Sequence, residues 1–216
     1  MEPIYQQRFQ INDAAVDCFG RLKPSMLLLY AQEVAGHHSD LLHFTYDTLA
    51  SKGLFWAVIR NRVQITRLPR EHETITIETW PMPTTRTAYP RATVGYDADG
   101  KELFRVMGIW VLMNLKTRAM VLPGKSGIDV PGIQRENTPP APRSLSPIRE
   151  EGRCRRQVSQ EDLDKNNHMN NVRYVDMFTD YIPGSLKGQR IVSLDISYIC
   201  KQFNLFSVKR YIFLSL

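Results

Sequence analysis

The run Asp162-Leu163-Asp164-Lys165-Asn166-Asn167-His168-Met169-Asn170-Asn171-Val172-Arg173-Tyr174 sets an acid, an amide and an imidazole at alternating positions. If the segment is extended, Asp164, Asn166 and His168 project to one side, where a proton acceptor, a hydrogen-bonding orienter and a site for water come together. Spacing also predicts a helix from about Met169 to Tyr181, stopped by Pro183-Gly184. Free N–H groups at its start, at Met169 and Asn170, would stabilise the oxyanion formed when water attacks an acyl carbonyl. Turn formation and helix capping account for the same Asp and Asn residues equally well.

Other groups carry less. His37, His38 and His43 do not fall on one helical face and have no cysteine beside them, so the pattern does not suggest a metal site. Cys18, Cys154 and Cys200 are odd in number and widely spaced, which suggests neither a disulfide framework nor a zinc site and fits a reducing compartment. Leu27, Tyr30, Val34, Phe55, Trp56 and Trp110 are candidates for lining an alkyl tunnel, and equally for plain core. Arg60, Arg62, Arg67, Arg86, Arg91, Arg153, Arg155 and Arg156 form basic stretches that would suit an acidic partner.

The elements that position these residues fall into two series. Pro24 opens a run in which Met26, Leu27, Leu29, Tyr30, Val34 and Ala35 recur at helical spacing. From Gly53 the pattern becomes that of strands: Trp56, Val58 and Ile59, then Val63 and Ile65, then Ile75 and Ile77 alternating with Thr and Glu. Asp97-Ala98-Asp99-Gly100 has turn composition between strands at about 92–96 and 103–115. Pro139, Pro140, Pro142 and Pro147 mark a linker. Beyond it the order restarts, with a polar strand near 155–158, the helix after His168 and a strand over 191–199. Aligning 17–34 with 162–179 and 53–81 with 188–216 suggests a duplication, with Phe19, Arg21 and Lys23 opposite Asp164, Asn166 and His168. On that alignment the second unit lacks a hairpin like the one around Asp97–Gly100.

Length and composition bound these readings. The 216 residues, 43% hydrophobic and 23% charged, are those of a folded protein of one large or two small domains. No apolar run approaches the roughly 18 residues of a membrane span, and no secretory signal is visible. The net charge of +6 favours acidic partners, but the basic residues are dispersed and accompany no nucleic-acid-binding pattern.

The 162–174 run resembles the D-x-N-x-H-x-N-N-x-x-Y signature of plant and bacterial acyl-acyl-carrier-protein thioesterases. The resemblance extends to Gly53-Leu54-Phe55-Trp56-Ala57-Val58, Thr79-Trp80-Pro81 and Ile109-Trp110-Val111-Leu112. It implies an α+β fold of two tandem hotdog units, each an antiparallel sheet wrapped around a central helix. The units would be residues 1–137, holding the acyl chain, and 151–216, carrying Asp164, Asn166 and His168, with a proline-rich linker at 138–150 and the second unit truncated. The activity implied is hydrolysis of fatty acyl-acyl-carrier protein in the cytoplasm, without metal or organic cofactor. Acyl-carrier protein is the partner, membrane insertion is not expected, and a homodimer is a possible assembly. In the family a Glu followed by Cys lies on the strand beyond the helix; here Ile199 and Cys200 occupy those places, which puts full activity in question. The alternatives are an acyl-coenzyme A thioesterase and a catalytically impaired acyl-binding remnant.

Overall fold

The structure is a computed structural model that describes residues 2–143, 145, 158–164, 169–180, 191–199 and 209–215, the last stretch as backbone only. The strands are β1 (Tyr5–Gln10), β2 (Leu54–Ile65), β3 (Thr74–Pro81), β4 (Tyr89–Tyr96), β5 (Glu102–Asn114), β6 (Met120–Val121), β7 (Ser193–Ile199) and β8 (Lys209–Ser215). The helices are α1 (Pro24–Leu41), α2 (Tyr46–Ser51), α3 (Pro123–Ser126) and α4 (Arg173–Asp180). All strands join one antiparallel sheet in the order β1-β3-β4-β5-β2-β7-β8, with the short β6 on β5.

Period-two alternation builds the sheet's two faces. On β3, Ile75, Ile77 and Thr79 point to the side covered by α1, and Trp80 points to the other. The Asp97–Gly100 turn forms as its composition predicts. Gly100 takes φ 78°, and the Asp97 carboxylate accepts the N–H groups of Asp99 and Lys101 at 3.1 and 2.8 Å.

Helix α1 runs further than its apolar pattern indicates, to Leu41, with Pro24 in the first turn where a missing N–H costs nothing. Leu27, Leu28, Ala31, Val34, Ala35 and His38 are its buried stripe. The core beneath it includes Val63, Ile75, Ile77, Phe104 and Val106, together with Val175 from α4 and Val172 just before it. Truncating Leu27 or Leu28 to Ala would cost about 2–5 kcal/mol. The helix α2 was not anticipated; Thr45 caps it by accepting from the Thr48 N–H at 3.1 Å.

The other face of the sheet is covered by a strap. Ile128 and Val130 pack with Leu49, Leu54, Tyr89 and Leu112. Ile133 then hydrogen-bonds Pro81, Arg135 stacks 4.6 Å over the Trp80 ring and pairs with Glu78, and Asn137 donates to Tyr96 Oη at 3.0 Å. Farther along, Arg62 donates to the carbonyl of Ala141, and the N–H of Arg143 donates to Asp195 on β7 at 3.0 Å. The expected linker at 138–150 is therefore, as far as it is described, the end of a packed segment that begins near Gly127. Prolines keep it extended, and side chains on both sides of them anchor it.

The seam between the halves is backbone pairing of β2 with β7, from Arg60 opposite Ser197 to Gln64 opposite Ser193. The strand expected at 191–199 is β7. The expected match of β8 to β3 fails on topology: β3 lies between β1 and β4, whereas β8 pairs with β7 in the place that β5 takes beside β2. The polar strand expected near 155–158 falls almost wholly outside the described residues.

Candidate functional site

Two loops of this chain share one construction. Residues Asp13–Ala15 form a 3₁₀ turn, Val16 then bridges antiparallel to Leu22, and the Lys23 N–H donates to the Ala15 carbonyl at 3.0 Å. Residues Gln160–Asp162 form a 3₁₀ turn, Leu163 bridges to Met169, and the Asn170 N–H donates to the Asp162 carbonyl at 2.8 Å. Each feature recurs 147 positions later, as the difference between Val16 and Leu163 shows. The duplication is thus visible in hydrogen bonds, in a register two residues away from that of 17–34 with 162–179. Asp17, Phe19 and Arg21 stand opposite Asp164, Asn166 and His168.

The bridge between Leu163 and Met169 is antiparallel, so the backbone at the two ends of the motif runs in opposite directions. Asp164 is part-buried beside the bridge. Asn166, His168 and Cys200 lie outside the described residues, as does the side chain of Ile199.

The helix also starts later than expected. Its first residue is Arg173, and Asn170 acts as its cap: Oδ1 accepts from the Val172 N–H at 3.2 Å and the carbonyl accepts from the Arg173 N–H at 3.0 Å. Asn170's own N–H is committed to Asp162, so it is not available to an oxyanion. The Met169 N–H, by contrast, has no acceptor among the described residues.

Asp162 braces the loop from below. It is buried, and its Oδ2 accepts from both the N–H and the hydroxyl of Ser159, at 2.9 and 3.0 Å. One residue therefore holds the turn before the loop with its side chain and the residue after the loop with its carbonyl. In the first unit Asn12 caps the equivalent turn and Ala15 supplies only the carbonyl.

Asp17 shows what an acid at the start of such a loop does. Its Oδ1 accepts from the N–H groups of Phe19 and Arg21 at 2.9 and 3.0 Å, and its Oδ2 meets the Arg21 guanidinium at 3.0 Å. The carboxylate fixes both the loop backbone and the side chain four residues on. In the second unit that pair of positions is Asp164 and His168.

A polar group that sequence spacing missed lies under α1. Arg91, on β4, points to the α1 side and lines a cavity with Gln32, Asn61, Thr93, Gly108 and Trp110. Its Nη1 donates to His38 Nδ1 at 3.1 Å. Alternation along β4 puts Arg91 and Thr93 on one face but does not reveal which face looks inward. Of the arginines expected to meet an acidic partner, Arg91 is thus turned into the fold, Arg62 is engaged with Ala141 and Asp195, and Arg67 pairs with Glu73 and Asp97. Arg60 and Arg86 are exposed. Of the expected tunnel residues, Leu27, Tyr30 and Val34 belong to the main core, and Trp56 stacks edge-on to Tyr89 at 4.9 Å.

A long helix packed in the curl of an antiparallel sheet, with the loop before a second helix carrying the polar motif, defines the hotdog class. Residues 2–122 match the acyl-ACP thioesterase N-terminal domain and residues 145–202 the C-terminal domain of the same enzymes, and the chain belongs to this family. A palmitoyl-acyl carrier protein thioesterase of Cuphea hookeriana is 23% identical over 211 residues, covering 90% of this chain and 51% of the relative. The chain spans about half the length of the curated relatives it matches. A solved acyl-ACP thioesterase from Bacteroides thetaiotaomicron superposes with a TM-score of 0.78 at 25% identity, over 93% of this chain and 82% of that one. The 12:0-ACP thioesterase of Umbellularia californica gives a TM-score of 0.74 at 21% identity, over 92% and 83%. No helix among the described residues is long and apolar enough to cross a membrane.

Proposed function

We propose that the chain hydrolyses the thioester of fatty acyl-acyl-carrier protein, with residues 1–137 holding the acyl chain and the loop between Asp162 and Asn170 carrying the chemistry. The observation that carries this reading is the duplicated loop: the same backbone clamp closes both copies, and only the second combines Asp164, Asn166 and His168.

In this reading His168 accepts a proton as water attacks the carbonyl carbon, and Asn166 orients the water. Asp164 holds the His168 ring as Asp17 holds Arg21. The Met169 N–H, which has no acceptor among the described residues, donates to the oxygen that becomes negative. Breaking the carbon–sulfur bond releases the free fatty acid and the carrier thiol, which takes up the proton. Ile199 supplies no proton acceptor at the place of the family Glu, so the loop acts without it and turnover is correspondingly low.

Acyl-carrier protein is the partner in this scheme, met through exposed cations such as Arg60 and Arg86, in a cytoplasmic setting and as a possible homodimer. The test is turnover of matched acyl groups on acyl-carrier protein and on coenzyme A, with binding measured in parallel. Preference for the carrier protein supports the proposal. Preference for coenzyme A replaces the partner, and binding without turnover replaces the activity with chain binding.

A further inference from the structure

The cavity under α1 is small, about 20 Å³, and its largely apolar lining is interrupted by a few polar side chains. Leu28, Ala31 and Ala35 supply its apolar side. The Arg91 guanidinium and the Gln32 amide supply donors, and both lack something.

Arg91 has two protein acceptors, His38 Nδ1 at 3.1 Å and Thr79 Oγ1 at 3.4 Å, and no carboxylate lies within ion-pair distance among the described residues. His38 Nε2 is 3.2 Å from the Glu2 carbonyl, so that nitrogen carries the proton and Nδ1 presents a lone pair to Arg91. The imidazole is therefore neutral and brings no counter-charge. Burial pulls the Arg91 pKa down to about 10, which leaves it charged at neutral pH. A part-buried cation held by neutral groups alone is costly, and an acceptor oxygen beside it would recover part of that cost. Independently, Gln32 Nε2 is buried with no acceptor among the described residues. Two donors on opposite walls, one on α1 and one on β4, thus face the same small space.

The remaining walls keep that space open. Gly108 lines it, and a Cβ there would come within 2.9 Å of Trp110 Nε1 and 3.1 Å of Asn61 Oδ1. The volume suits a single oxygen-bearing group and is too small for an alkyl segment of several carbons.

We propose that this cavity takes an acceptor oxygen carried by the acyl chain, a hydroxyl or keto group away from the thioester, so that the enzyme prefers oxygenated acyl chains over unsubstituted ones. The inference rests on the reading that the first unit holds the chain. A methyl terminus or methylene placed here would cover Arg91 and Gln32 without satisfying either, and would be disfavoured. An oxygen would accept from both.

The probes are non-hydrolysable S-dodecyl pantetheine thioethers: the plain alkyl compound and a series with a hydroxyl or keto group at successive positions towards the chain end. Binding to the full chain is read by calorimetry, beside hydrolysis of acyl-acyl-carrier protein by the same preparation. At least one oxygenated isomer is expected to bind tenfold or more tighter than the alkyl probe. Arg91→Met is expected to abolish that preference while retaining the alkyl probe, which also shows that the variant is folded. Gln32→Leu is expected to weaken the preference without removing the charge. Equal binding of all isomers, or a preference that survives Arg91→Met, overturns the inference. If hydrolysis is absent but the preference holds, the thioesterase chemistry fails and the site stands; if hydrolysis proceeds without the preference, the site fails and the chemistry stands.

Discussion

The N–H of Asn170 donates to the carbonyl of Asp162 at 2.8 Å, and this one bond closes the loop that contains Asp164 and His168. The carboxylate of the same Asp162 caps the preceding turn through Ser159. Asp162→Ala is expected to cost about 1 kcal/mol of stability, the usual effect of losing a cap. It should also lower kcat by roughly tenfold with KM little changed, because the loop is displaced and the half proposed to hold the chain is untouched. Asp162→Asn, which keeps an acceptor oxygen, should restore most of both. Stopped turnover assays and thermal melts of the two variants check this, and a KM effect without a kcat effect would contradict it.

Removing the imidazole addresses the chemistry itself. His168→Ala is expected to lower hydrolysis of acyl-acyl-carrier protein by about 10², the scale for a positioned acid or base. The variant should melt at the wild-type temperature and bind the substrate thioether unchanged. Undiminished turnover in the folded variant would reject the role.

His38 predicts a pH dependence of stability. Burial, with the charge of Arg91 adding to it, lowers its pKa below the ordinary 6.5, outweighing the hydrogen bond to Glu2. Between the lowered value and 6.5 the unfolded chain binds more protons than the folded one, so stability rises with pH across that window and is flat above it. Acidification from pH 7.5 towards 5 should therefore reduce the denaturation midpoint. His38→Gln, which cannot titrate, should flatten the part of the curve below pH 6.5. A His38→Gln curve parallel to wild type would show that other groups cause the slope.

The strap offers a purely steric test. A Cβ at Gly132 would stand 2.2 Å from the Met82 carbonyl oxygen, a backbone atom that cannot turn aside. Gly132→Ala is expected to destabilise by about 1–3 kcal/mol, the range for overpacking, and to speed hydrogen exchange at Ile133, whose N–H bonds Pro81. Wild-type protection at Ile133 would mean that the strap tolerates displacement.

Much of this fold was legible because its signals are local. Ile75 and Ile77 alternate, Pro24 opens a helix, and Asp97-Ala98-Asp99-Gly100 spells a turn; each needs only its neighbours. The start of α4 is not legible locally, because Asn170 looks like helix and instead accepts the N–H groups of Val172 and Arg173 ahead of it, held there by Asp162, eight positions back. The antiparallel Leu163–Met169 pairing leaves no periodic trace in the sequence either. Arginine is usually exposed, so the sequence alone offers Arg91 to an acidic partner. Its inward direction follows from which face of β4 α1 covers, and that is a property of the whole sheet.

Strand β2 pairs along one side with β5 and along the other with β7, yet the two partners are unequally distant in the chain: Val63 meets both Val106 and Leu194. Loop closure favours the nearer partner, so β5 docks first and β2 spends part of the folding reaction as an outer strand. In that interval it presents a long, largely apolar ribbon that invites pairing with a neighbouring molecule. Arg60 and Arg62 flank Asn61 on the stretch that later receives β7, and two cations there oppose the approach of a second copy of the same strand. The residues that finish inside the seam thus also act as gatekeepers before it closes, and neutralising Arg60 would be felt in refolding yield at high concentration before it is felt in the finished molecule.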